Sequence, residues 1–128
     1  MKTIIFILSL FFTAKLFGQD SSIVNKKEWL GVLTLTDKYR DEKNWTKNDE
    51  AIVGEHFQRL QKMKNEGVVI LAGRTLIALS KTEGMGLVIF YANDEKEATG
   101  FMMNDPAVEN NIMKANVHPY SIAINISN

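Results

Sequence analysis

The sequence predicts an α+β fold of order β-α-β-β-α-β, a ferredoxin-like antiparallel sheet with two helices on one face. Three observations lead there. Two segments pair a helix-start signal with an apolar stripe: Thr46 with Asp49, and Asp94 with Glu97. Several short runs are dominated by β-branched and apolar residues, which suits strands. Polar or glycine-bearing stretches separate these segments and leave two strand runs adjacent in mid-chain.

The elements follow in order. Gln19 to Lys27 are polar and read as a linker, with the domain itself expected over 29–127. Trp29 to Thr36 read as the first strand, and the polar Asp37 to Asn44 as a loop. Thr46 caps the first helix, where Asp49 and Glu50 suit the positive dipole end and Lys62 and Lys64 the negative end. Gly67 is expected in the left-handed position that ends this helix. Ile52, His56, Leu60 and Met63 share one stripe, and Val53, Phe57 and Leu60 the next; together they form the expected buried face. Val68 to Leu71 lack a polar face and read as a central strand. Gly73 reads as a bulge, Thr75 to Ser80 as resumed strand, and Lys81 to Gly86 as a hairpin turn. Leu87 to Ala92 form another buried strand. Asp94 caps the second helix, with Ala98, Phe101 and Met102 facing inward, and Ala107 to Met113 continue helically after Pro106. Pro119 opens the last strand, where Tyr120, Ile122, Ile124 and Ile126 alternate with smaller polar residues. With both helices on one face, the other sheet face is bare. A second copy is its expected cover, giving a homodimer.

Composition narrows the function. Fifteen basic and 15 acidic residues leave no electrostatic footprint for nucleic acid. Lys2 followed by the apolar run Ile4 to Phe12, with Gly18 before Gln19, has the pattern of a signal peptide over 1–18. The run is too short for a membrane span, so the mature chain is expected in the periplasm or outside the cell, without a stable membrane segment. No cysteine is present, which excludes disulfides, a lipidated cysteine and a thiol nucleophile. A Gly-x-Ser-x-Gly elbow is also missing, which disfavours covalent hydrolysis.

Chemistry near neutral pH then rests on two histidines. His56 lies on the packed stripe of the first helix, and Asp105, before Pro106, is a candidate partner. A carboxylate holding one ring nitrogen leaves the other free to carry a proton. The same pair also fits a purely structural role in the core. His118 reads as a surface residue. Neither histidine sits in a metal-ligand spacing, so no metal and no cofactor is expected. Arg74 is a candidate for binding an anionic ligand group, or a solvated strand-end charge. Tyr91 is a candidate pocket residue, although strand aromatics more often serve core or interface.

Three blocks together resemble the YCII-related family. They are Glu55-His56 through Gly67 to Leu71-Ala72-Gly73, the strand Gly86 to Phe90 with its following helix, and Asn104-Asp105-Pro106-Ala107-Val108 running to Val117-His118-Pro119-Tyr120. The resemblance covers about Trp29 to Ile126. It implies a dimeric α+β barrel with a site at His56 and Asp105. It also implies small-molecule chemistry of a lyase or isomerase type, since a dehydrochlorinase acting on a chlorinated hydroxyquinol has a similar pattern. Two positions depart from it: Arg74 stands where the family often has proline, and Asn111 where a glycine is common. Asparagine tolerates the left-handed region, so Asn111 is expected to keep that backbone. A non-catalytic ligand-binding protein and a dimeric interaction protein of the cell envelope stay open as alternatives.

Overall fold

The computed structural model describes residues 26–126. The expected signal peptide, and the expected linker up to residue 25, lie outside the described residues. The chain runs β1 (Lys27–Leu35), α1 (Lys47–Asn65), β2 (Val69–Arg74), β3 (Gly86–Ala92), α2 (Glu95–Met103), α3 (Pro106–Glu109) and β4 (Met113–Pro119). Two short 3₁₀ turns, Asp37–Arg40 and Glu42–Asn44, fill the expected loop after β1. The strands form one antiparallel sheet in the order β2-β3-β1-β4, which is the ferredoxin-like arrangement.

Alternation along the central strands sorts the two faces. Trp29, Leu33, Val88, Phe90 and Ala92 are buried on the helix side. Leu30, Val32, Leu87 and Ile89 are half-buried on the other side, where no helix among the described residues covers them. α2 packs on β4 and β3, while α1 packs on β2 and α3. The fit under α2 is close: a Cβ on Gly31 would meet the sulfur of Met102 at 2.6 Å, so glycine is what lets Met102 lie on β1.

Both long-helix caps form. At Thr46 the capping box is complete. Asp94 accepts from the Glu97 N–H, but the Glu97 side chain accepts from Asn93 and does not close a box. Gly67 ends α1 at φ 77°, and Asn111 takes φ 55°.

Four expectations are corrected. β2 is an edge strand, not a central one. Its apolar residues answer to α1 on one side and the bare face on the other. Thr75 to Ser80 do not resume a strand, because β3 begins at Gly86, the cross-strand partner of Arg74. One further bond follows, from the Thr75 N–H to the Met85 carbonyl, and Leu76 is 99% exposed in the loop. The helix after Pro106 stops at Glu109, since Asn111 turns left-handed and the Ile112 N–H closes back on the Ala107 carbonyl. Pro119 ends β4 and does not open it. β4 runs antiparallel to β1, and Pro119 already sits opposite Trp29. One further bond follows, from the Tyr120 N–H to the Glu28 carbonyl, next to the first residue of β1. Ile124 and Ile126 are therefore 93% and 89% exposed despite their strand-like alternation. A smaller departure concerns Phe57, expected in the core and found 60% exposed.

The α1 cap makes stability depend on pH. Hydrogen bonds from the Thr46 hydroxyl and N–H, with another from the Tyr39 hydroxyl, hold the Asp49 carboxyl below its ordinary value of 3.8. The folded state therefore binds that proton less readily than the unfolded chain. The contribution is complete above the unfolded value and disappears as pH falls through the folded one. Urea unfolding of Asp49→Asn and wild type should show a stability gap that narrows as pH drops from about 6 to about 2. A gap independent of pH would contradict this account.

Candidate functional site

Asp105 is buried, with 1% of its surface exposed. Its position follows from local chemistry. Pro106 starts α3, where the absent N–H of proline costs no hydrogen bond. Asp105 becomes the N-cap, and its Oδ1 accepts from the Ala107 N–H at 2.9 Å. That leaves Oδ2 facing α1.

His56 and Arg59 are three residues apart on α1, so they share a face. The His56 Nδ1 lies 2.7 Å from Asp105 Oδ2. With Asp105 as carboxylate, Nδ1–H is the donor and Nε2 is the free ring nitrogen. Arg59 approaches the same oxygen, with Nη1 at 3.5 Å. Its Nη2 donates to the Phe101 carbonyl at 2.7 Å, and its guanidinium lies 4.5 Å over the Phe101 ring. Phe101 stacks in turn on Phe90 at 4.4 Å between centroids. Arg59 is thus held by a carbonyl, a ring and a carboxylate, while Nη1 is buried without a hydrogen-bond partner.

The sequence reading did not single out Arg59. Its signal was the three-residue step from His56 along the same helix.

His56 also lines a cavity of about 850 Å³ between α1 and the β2 side of the sheet. Such a volume is typical of small-ligand pockets. Its walls are largely aliphatic and include Leu33, Val53, Phe57, Leu60 and Val88. The charged or titratable residues among them are His56, Lys64 and Arg74, with no acid. Phe57 is exposed because it faces this space. Asp105 lies behind His56 and does not line the cavity.

The other candidates are placed as follows. Arg74 is an exposed cavity-lining residue at the end of β2. Tyr91 is not brought to the cavity. It stands opposite Glu28 and alternates with the buried Phe90 and Ala92, so it belongs to the bare sheet face. His118 is exposed opposite Leu30 on that same face, away from His56. Among the described residues, no group of three or more histidine and acidic side chains is placed to hold a metal ion. No helix among them is long and apolar enough to cross a membrane.

A buried carboxylate serving a cap, a histidine and an arginine is costly to remove. Asp105→Ala should lower unfolding free energy by about 3 kcal/mol, because it strands the Arg59 charge. Asp105→Asn keeps an acceptor for the Ala107 N–H and should lose less. Urea denaturation of both variants checks the order; equal losses would contradict it.

A search of curated proteins returns no match for this chain. A family model described as the YCII-related domain matches residues 32–120, from within β1 to just past the end of β4. The matched stretch holds the whole helix-side cavity wall together with His56, Arg59 and Asp105, and the chain belongs to the YCII-related domain family.

Proposed function

We propose that this protein is an exported, homodimeric small-molecule enzyme of the lyase or isomerase type. In this reading His56 transfers a proton and Asp105 orients it. The observation that carries the proposal is the 2.7 Å His56–Asp105 contact at the wall of a largely apolar cavity.

The chemistry follows from what lines that cavity. His56 is the one histidine among the lining residues, and imidazole is the side chain suited to both giving and taking a proton. As a base, Nε2 takes a proton from the carbon beside a carbonyl of the ligand, including the keto tautomer of an enolic or hydroxylated aromatic one. The C–H electron pair moves onto the oxygen, giving an enolate. The imidazolium then returns the proton at another carbon, or the enolate expels a leaving group. The first outcome is isomerisation and the second elimination. Asp105 supports both by fixing the ring and its tautomer.

The dimer rests on the bare sheet face. Leu30, Val32, Leu87 and Ile89 form a contiguous apolar surface that a second copy would cover by a two-fold contact. Export rests on the signal-peptide pattern over residues 1–18.

Two measurements test the reading. Deuterium uptake from heavy water into a panel of enolisable ketones and hydroxyquinols, followed by NMR, should be catalysed by wild type. His56→Ala should reduce that rate by about 10²–10⁴-fold. Sedimentation should give a dimer for both proteins. Unchanged exchange in His56→Ala sinks the mechanism, and ligand binding without exchange favours a non-catalytic binding protein. Separately, intact mass of the protein recovered from the envelope or medium of an expressing bacterium should lack residues 1–18. Full-length protein confined to the cytoplasm would refute export.

A further inference from the structure

We infer that Arg40 and Arg74 form an anion-binding subsite at one end of the cavity, and that the ligand is an apolar organic anion with a carboxylate-type head group. This rests on the reading of the cavity as a ligand site.

A second recess of about 330 Å³ adjoins the large cavity, and the two share Leu35, Val53, Arg74, Leu79 and Met113 as walls. Arg40 and Arg74 both line the recess, with Glu42 the one acid among its lining residues. The two spaces together therefore join a long aliphatic chamber to a short cationic end.

Both arginines have donors to spare. Arg74 makes no ion pair and no side-chain hydrogen bond among the described residues. It is the last residue of β2, opposite Gly86, which offers no side chain to cover it. The buried Arg40 Nε makes no hydrogen bond, and its one ionic neighbour is Asp37 Oδ1 at 3.5 Å, on a side chain that is 99% exposed. An exposed pair of that kind is too weak to occupy the guanidinium. A buried donor whose one ionic neighbour is a solvent-exposed carboxylate at 3.5 Å gains a full bond from an oxyanion arriving with the ligand, and a guanidinium matches a carboxylate with two parallel bonds.

The position suits the proton-transfer reading. α1 and β2 run antiparallel through the Gly67 turn, so Val53 and Gly54 lie toward the Arg74 end and Lys64 toward the other. His56 stands between them. A ligand anchored at Arg40 and Arg74 extends its apolar body past His56, under Phe57 and Leu60.

Two dyes with one aromatic body separate charge from hydrophobicity. Anilinonaphthalene sulfonate carries the anion, and N-phenylnaphthylamine does not. Fluorescence titrations are made with the wild-type chain, Arg40→Gln, Arg74→Gln and Gly54→Phe. Gly54 lines the cavity, and a Cβ there meets nothing within 4 Å, so phenylalanine projects into open space. Each arginine variant should weaken the sulfonate by about tenfold and leave the neutral dye unchanged. Unchanged sulfonate binding in both, or a parallel loss of both dyes, overturns the subsite. Gly54→Phe should abolish binding of the neutral dye. Neutral-dye binding that survives Gly54→Phe defeats the cavity reading itself. Neutral-dye binding lost there, with a sulfonate indifferent to both arginines, defeats the subsite alone.

Discussion

One buried carboxylate organises this molecule. Asp105 caps α3 through Oδ1 and ties α1 to that cap through Oδ2. The Arg59 bond to the Phe101 carbonyl, at 2.7 Å, ties the same helix to α2 beside it. Removing a carboxylate from water costs several kcal/mol, so each of its contacts must be made together. The proline after it, the helix turn it caps and the two α1 residues that meet it therefore act as one unit.

That constraint explains the cavity. α1 is fixed at two points: the Gly67 turn into β2, and the His56–Arg59 contact with Asp105. α2 is fixed differently, with Met102 resting on Gly31 at the centre of the sheet. Met102 fills the sheet under α2, whereas α1 contributes to that core mainly Leu60, with Met63 partly buried beside it. Phe57 stands open to solvent instead of closing the gap. An apolar helix face left short of the sheet forfeits burial that a well-packed core would take, and such a shortfall is characteristic of ligand sites.

Much of the fold was legible because its signals are local. The Thr46 box, the Asp94 cap, Gly67 and Asn111 are each decided by a few neighbouring atoms, and each was placed correctly. The order of elements followed from them. The failures concern partners. Whether Thr75 to Ser80 pair depends on where β3 starts, and whether Ile122 to Ile126 pair depends on where β1 ends. Neither limit is written in those residues, whose own alternation still reads as strand. The rank of β2 failed similarly, since an apolar run cannot state which of its sides is covered by helix and which is bare. At the site, the contact between His56 and Asp105 was anticipated from the family resemblance. Arg59 was not, because a lone arginine on an amphipathic helix normally reads as a solvated face.

Arg59 bears on how His56 can act. A buried carboxylate demands a counter-charge, and a histidine facing it alone would have to provide one. Here the arginine lies 3.5 Å from the same oxygen and is anchored independently by Phe101. An arginine stays charged throughout the accessible pH range. The negative charge of Asp105 therefore faces a permanent positive group as well as the imidazole. A histidine required only as a cation for packing would have no need of that second positive group. The arrangement leaves one ring nitrogen uncommitted on a residue that lines the cavity.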